Sequence, residues 1–320
     1  MSAPALAPWL PVFILALLPF PGSSTAIGAV SYWTDAAFQQ APSGGLSLLN
    51  PENGIFSGET TTLSASVSAY VPIVTAIQAR NISVLGYVPT GYFNHSPGCD
   101  QAGVCQTWTR IEAQIQAYYQ NVPTLNGIFF DEVAPTVYAC AAFGPEYSRL
   151  RTLAHTYAPS NSAGTIAFNT AVPDSCAVDA ATRGEIVVLY EDTAAGYDPA
   201  SNTALVTATA HARASGVQSW HIVNTAPAWD VLVPMVKAYD PDWVYATNVG
   251  GDWQHGDNTY GAPPVYWAAE VASFAPVNAT AVPGPTSTGC HSHGRKEGSG
   301  LDWTGTAMLM AIAAVIFGIS

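Results

Sequence analysis

Two adjacent carboxylates, Asp131 and Glu132, close the apolar run Gly127-Ile-Phe-Phe, in a chain where only 10% of residues are Asp, Glu, Lys or Arg. A carboxylate at the tip of a buried strand must be solvated, paired or used, because desolvating it without a partner is costly. A third acid, Glu191, ends a second apolar run, Glu185–Glu191. Carboxyl groups converging on one cleft can serve as nucleophile and as general acid or base. On extended backbone, neighbouring side chains point to opposite sides. Asp131 and Glu132 are therefore not expected to act as a pair, and one of them is expected to face Glu191.

The elements that must carry these groups alternate along the chain. β-Prone runs occur at Ile27–Trp33, Leu46–Asn50, Ile82–Val88, Gly127–Phe130, Thr165–Asn169, Glu185–Glu191, Gln218–Asn224 and Trp243–Asn248. Stretches of helical spacing lie between many of them: Val67–Arg80, Thr109–Gln120, Glu146–Tyr157, Ala204–Ala214, Asp230–Tyr239 and Val265–Phe274. The spacing predicts an α/β fold, a (β/α)8 TIM-like barrel over residues 27–276. Thr170–Gly184 has room for a short helix only, which makes the barrel somewhat irregular. A doubly wound open sheet is the alternative, but no Gly-rich phosphate loop follows the first strand. In a parallel barrel all strand tips meet on one face. That face would gather Asn50, Tyr87, Asp131, Glu132, Asn169, Glu191, Asn224 and Asn248. Any one of them alone is more often a turn residue or a helix cap.

Aromatics at or past strand ends, Tyr87, Tyr92, Phe93, Tyr190, Trp220, Trp243, Trp253 and Tyr260, can pack in the core or stack on sugar C–H faces. Trp253 and Tyr260 are the foremost subsite candidates, with Asn50, Tyr87, Tyr92, Asn169 and Asn248 as further contacts. Five cysteines predict Cys99–Cys105 and Cys140–Cys176 as disulfides, leaving Cys290 over. No Cys/His spacing indicates a metal, and no cofactor is expected. Sequons begin at Asn81, Asn94 and Asn278. Asn81 is placed at the start of a strand, which counts against its occupancy.

Residues 5–20 form an apolar core followed by Ser24 and Ala26, so residues 1–26 read as a signal peptide and the mature chain as starting at Ile27. At the other end, Thr306–Ile319 is apolar, short for a membrane span and without a basic residue after it. With Gly298-Ser-Gly300 and a polar spacer ahead of it, residues 301–320 read as a glycosylphosphatidylinositol (GPI) attachment signal, with Gly298 as the attachment residue. Ser287-Thr-Gly289 is a competing site, and a tail-anchored or secreted form is the alternative. Residues 277–300, rich in Pro, Gly, Ser and Thr, read as a stalk. Arg295 and Lys296 cancel Glu297 and Asp302, so the whole net charge of −13 belongs to the domain. That excludes nucleic acid and an anionic membrane surface as partners. It suits either solubility or attraction of a cationic polymer. The expected protein is extracellular and monomeric, touching membrane only through its lipid.

Five segments carry a family resemblance: Gly127-Ile-Phe-Phe-Asp-Glu132, Val84-Leu-Gly-Tyr-Val-Pro-Thr90, Asn50-Pro-Glu-Asn-Gly54, Glu185-Ile-Val-Val-Leu-Tyr-Glu191 and, more loosely, Asn258-Thr-Tyr260 with Pro264-Val-Tyr-Trp267. Taken in chain order over about residues 46–270, they resemble the signatures of spherulin-4-like proteins, the spherulation-specific family 4. The family includes fungal glycoside hydrolases of family 135, which cut α-1,4-linked N-acetylgalactosamine in galactosaminogalactan; related family 114 barrels cut the deacetylated polymer. The resemblance puts Asp131, Glu132 and Glu191 in the acidic catalytic cluster and a cell-surface polysaccharide in the cleft. The chain departs at Asn169-Thr170, where many relatives have Asn-Pro-Gly, and at Pro89, where many have Tyr. Glycoside hydrolysis needs two carboxyl groups about the scissile bond. Asp131 is assigned as nucleophile, Glu191 as general acid/base and Glu132 as an orienting or tuning group, with Asp131 and Glu132 open to exchange. In an α-linked substrate the 2-acetamido group lies on the leaving-group face, so retention requires a protein nucleophile. The alternatives are a non-catalytic wall or spore-coat protein that binds carbohydrate, and a hydrolase for another polysaccharide.

Overall fold

The computed structural model of the protein describes residues 25–33, 40, 42–93, 99, 103–133, 140–250 and 258–274. Eight parallel strands close into a barrel in chain order: β1 (Ala26–Ala29), β2 (Leu46–Leu49), β3 (Ser83–Pro89), β4 (Gly127–Asp131), β5 (Thr165–Asn169), β6 (Ile186–Thr193), β7 (Gln218–Asn224) and β8 (Trp243–Ala246). The described helices follow the strands from β2 onward: α1 (Val67–Gln78), α2 (Trp108–Asn121), α3 (Cys140–Tyr157), α4 (Ser175–Ala180), α5 (Thr203–Ser215), α6 (Trp229–Tyr239) and α7 (Trp267–Phe274). This is the (β/α)8 barrel expected from the alternation, and α4 is the short helix expected between Thr170 and Gly184.

Local chemistry explains the boundaries. A Cβ on Gly127 would fall 1.8 Å from the Thr165 carbonyl oxygen, so only glycine lets β4 open this close to β5. Asn126, just before it, accepts from the Val84 N–H and from Gln78, tying α1 and β3 to the entry of β4. Thr107, Asp174 and Asn202 cap α2, α4 and α5 by accepting backbone N–H groups. β1 stops at Ala29, four residues short of the expected Trp33, because the Ser31 hydroxyl takes over both ladder positions of Leu48: it donates to the carbonyl at 3.0 Å and accepts from the N–H at 3.1 Å.

β6 overruns its expected end by two residues, to Thr193, and contains an irregularity. Val188 pairs with Trp220, and the next pair is Tyr190 with His221, leaving Leu189 as an extra residue. A bulge of this kind shifts the in-out alternation beyond it. Val188 shares its row with Trp220, whose ring packs on Phe129 inside the barrel, so strict alternation would turn Glu191 outward. With the bulge, Glu191 pairs with Ile222 and faces the mouth of the barrel, while Tyr190 turns outward onto Tyr197.

The chain divides into two compact units: Met1–Ala279, which holds the barrel, and Thr280–Ser320, which lies outside the described residues. Most of the expected signal peptide, the stalk, the attachment signal, Asn94, Trp253, Asn278, Cys290 and Gly298 also lie outside them. β1 takes in Ala26, one residue ahead of the expected mature start; its N–H donates to the Asp242 carbonyl at 2.8 Å. Asn81 corrects its sequence reading: it is an exposed turn residue with φ of 62°, two residues before β3 begins. Cys99 and Cys105 form a disulfide. Cys176 is also disulfide-bonded, and the side chain of Cys140 lies outside the described residues. No helix among the described residues is long and apolar enough to cross a membrane.

Candidate active site

The C-terminal strand tips surround a cleft of about 620 Å³. Asp131, Glu132, Asn169, Glu191, Asn50, Tyr87, Tyr92 and Tyr260 all line it, so most of the residues singled out in the sequence converge. Its described walls carry four carboxylates, the three above and Glu52, and no Lys, Arg or His.

Asn169, at the end of β5, lies between the two acids expected to pair. Its amide nitrogen donates to Asp131 Oδ1 at 2.6 Å and to Glu191 Oε2 at 2.5 Å. Those two oxygens can be no farther apart than the sum of the contacts, about 5 Å, which falls with the roughly 5–5.5 Å spacing of retaining rather than inverting glycosidases. The orientation of the amide is fixed, because its oxygen accepts the Ala171 N–H at 2.9 Å and its two N–H bonds must then face the carboxylates. Tyr87 donates to Asp131 Oδ2 at 2.5 Å, and Tyr260 donates to Glu191 Oε1 at 2.8 Å.

A residue missed in the sequence links the far ends of this pair. Tyr32 packs edge-on against both Tyr87 (centroids 5.6 Å apart) and Tyr260 (5.7 Å), and its hydroxyl reaches Asn50 and Tyr87. It was hidden within the expected first strand; its only signal was an aromatic next to the end of that run. Burial, followed by the negative field of Asp131 or Glu191, holds the phenols of Tyr32, Tyr87 and Tyr260 well above their usual titration range. They stay neutral donors. Burial and then the neighbouring Asp131 push Glu191 up to about 7 from 4.5, although its bonds to Asn169 and Tyr260 pull it down.

Glu132 departs from expectation. The strand ends at Asp131, and Glu132 is left-handed with φ of 53°. It is therefore not the opposite-facing neighbour of an extended pair; it is buried and lines the same cleft. Its carbonyl is held by the Thr90 hydroxyl and by the Tyr92 N–H, both at 2.7 Å. A left-handed non-glycine residue costs roughly 1–2 kcal/mol. Tyr92, Ala171 and Thr225, past the tips of β3, β5 and β7, share that conformation. Strain of this kind gathers at functional sites.

Several expected contacts do not reach the cleft. Asn248 turns away, because its oxygen accepts the Val265 N–H at 2.9 Å and so braces the loop after β8. Tyr190 donates to the Thr193 carbonyl on the outer side of β6. Trp220 is buried at mid-barrel, and Trp243 opens β8 at the opposite end, where it donates to Gln218. Asn224, expected at the strand-tip face, lines the cleft, as does Tyr70, which the sequence did not single out. Among the described residues, no group of three or more His, Cys, Asp or Glu is arranged to hold a metal.

The model of spherulation-specific family 4 matches residues 21–274. The structure of Aspergillus clavatus Sph3 in complex with GalNAc has the same fold, with a TM-score of 0.59 at 17% identity over 79% of this chain and 98% of that one. A Thermobaculum terrenum O-GlcNAc hydrolase mutant (TM-score 0.43, 11% identity, 72% of this chain and 55% of that one) is more distant. So is a Streptomyces plicatus beta-hexosaminidase mutant in complex with its GlcNAc product (0.38, 12%, 63% and 47%). This chain spans about half of those two. No curated protein matches this chain.

Proposed function

We propose that this chain, which belongs to spherulation-specific family 4, is a retaining glycoside hydrolase acting on α-1,4-linked N-acetylgalactosamine or galactosamine polymers at the cell surface. One observation carries the reading: a nucleophile-acid pair, Asp131 and Glu191, held no more than about 5 Å apart by one amide in a cleft lined by phenols. Asp131, with two donors on it, is the nucleophile. Glu191, pushed up to about 7, keeps a proton for the leaving oxygen near neutral pH and later draws one from water. Glu132, buried beside them, adds negative field for a developing cationic sugar. The GalNAc complex of the Aspergillus clavatus barrel supports an amino sugar as the occupant.

The acids also favour catalysis over a purely binding role, since a lectin has no use for a coupled carboxyl pair. Mass spectrometry of products from purified polysaccharides tests the activity, and proton NMR of the newly formed anomer tests retention. Asp131→Asn and Glu191→Gln are expected to abolish cleavage with folding intact. A loss of only a few-fold in either, or an inverted product, would overturn these roles.

Removal of residues 1–26 and exchange of the C-terminal tail for a lipid at Gly298 would hold the enzyme, as a monomer, on the outer leaflet, where it trims polymer as it emerges. Phosphatidylinositol-specific phospholipase C should release it from membranes. Recovery of a C-terminal peptide containing Met308 and Met310 would refute the anchor.

A further inference from the structure

The amide that bridges the two carboxylates does more than fill the floor of the cleft. Asn169 gives one proton to each acid from a single nitrogen, and its own oxygen is occupied by the Ala171 N–H. It cannot rotate to offer an oxygen to either acid without breaking that bond. The Ala171 end is itself braced, since the Ala171 carbonyl accepts the Glu191 N–H at 3.0 Å. Residues 169–171 therefore grip Glu191 at both its backbone and its carboxylate.

We propose that Asn169 is a positioning residue that sets both the separation of the two catalytic carboxyls and the proton affinity of Glu191. This rests on the hydrolase reading for its consequence in catalysis, but not for its effect on the proton. A neutral double donor between two acids stabilises the charged form of each and adds no charge of its own. The outer phenols each oppose the repulsion between Asp131 and Glu191 from one side, Tyr87 on Asp131 and Tyr260 on Glu191. The other titratable groups on the described walls of the cleft are Tyr32, just past β1, a neutral phenol, and the carboxyls of Glu132 and Glu52. Among these neighbours, Asn169 is thus the one group bonded to both acids.

The geometry makes an ordered prediction. Asn169→Ala removes both donated protons, and the midpoint of Glu191 should rise by about half a pH unit or more. Asn169→Asp has nearly the same shape and keeps an acceptor for the Ala171 N–H, but it presents a third negative oxygen to the pair. It should raise the midpoint further than alanine does. A residue that merely filled space would produce the opposite order, because the isosteric variant would disturb less.

The experiment is a carboxyl NMR titration of the full-length protein labelled with ¹³C-glutamate, with the Glu191 signal identified by its loss in Glu191→Gln. Midpoints in the order wild type, Asn169→Ala, Asn169→Asp support the proposal. An unchanged or lower midpoint in Asn169→Ala overturns it, and if that variant fails to fold, the isosteric aspartate decides alone. In parallel, hydrolysis by Asn169→Ala should lose about tenfold or more in kcat with little change in KM, and the alkaline limb of its pH profile should follow the new midpoint. If the titration order appears but the wild type cleaves no amino-sugar polymer, the proton-setting role stands and the hydrolase reading falls.

Discussion

Glu191→Gln should make the protein inactive and more stable, by an amount that depends on pH. The carboxyl is pushed up to about 7 in the fold from 4.5, first by burial and then by Asp131. A group whose folded value is raised favours the fold below its unfolded value and loses that contribution as pH rises through the folded one. The wild type is therefore progressively destabilised between about pH 4.5 and 7, and the full penalty is present above that. The shift corresponds to roughly 3 kcal/mol at one pKa unit per 1.36 kcal/mol, and solvent on the open side of the cleft cuts this to about 1–2 kcal/mol. Glutamine fits the same partners: its oxygen can accept from Asn169, and its amide can donate to the Tyr260 hydroxyl, which turns to accept. For a domain of this size the melting temperature should rise by about 2–8 °C near pH 8. Near pH 5, where the wild-type group carries its proton, the gain should largely vanish. Scanning calorimetry of both proteins at the two pH values is the assay. An equal or lower melting temperature for Glu191→Gln near pH 8, or a gain of the same size at both, would refute the burial and repulsion argued here.

Two further outcomes follow from the same geometry. Ala171 has φ of 59°, so Ala171→Gly should stabilise the fold by about 0.5–1 kcal/mol in denaturant melts, the relief of left-handed strain exceeding the added freedom of the unfolded chain. His221 is buried between Tyr197 and Thr209, and burial pushes it down to about 3 from 6.5; the stability it gives is present above about pH 6.5 and lost as pH falls toward 3, about 3 kcal/mol of it by pH 4. The non-titrating His221→Gln should start less stable but show a visibly flatter decline over that range, and an identical slope would remove His221 as a cause.

The parts of this site that could be read in the sequence are those where an apolar run ends on a polar residue. Asp131, Asn169 and Glu191 each follow a run long enough to be a strand and buried enough to be unambiguous, and parallel order then brings their tips together. What escaped depends on interactions the runs do not encode. Tyr32 sits past the point where the Ser31 hydroxyl ends the β1 ladder, a contact with Leu48 seventeen residues away. Asn248 ends its run as Asn169 does, and both amide oxygens accept a backbone N–H, but Asn248 is held to the Val265 loop away from the cleft while the Asn169 nitrogen reaches both acids. Glu132 could not be oriented by alternation once the backbone turned left-handed. Trp220 and Trp243 are aromatic and near runs of the right length, but they lie at the wrong height in the barrel.

The extra residue in β6 ties the identity of the acid to chain length. Because Leu189 shifts the alternation, inserting or deleting one residue between Ile186 and Glu191 would exchange the carboxyl facing the cleft for the outward face of the sheet. Tyr190 or Asp192 would then occupy the catalytic position. No point substitution repairs such a change, whereas a second compensating length change does. The strand behaves as a parity gate: one inserted residue can leave every side chain of the run present and still turn the acid out of the site.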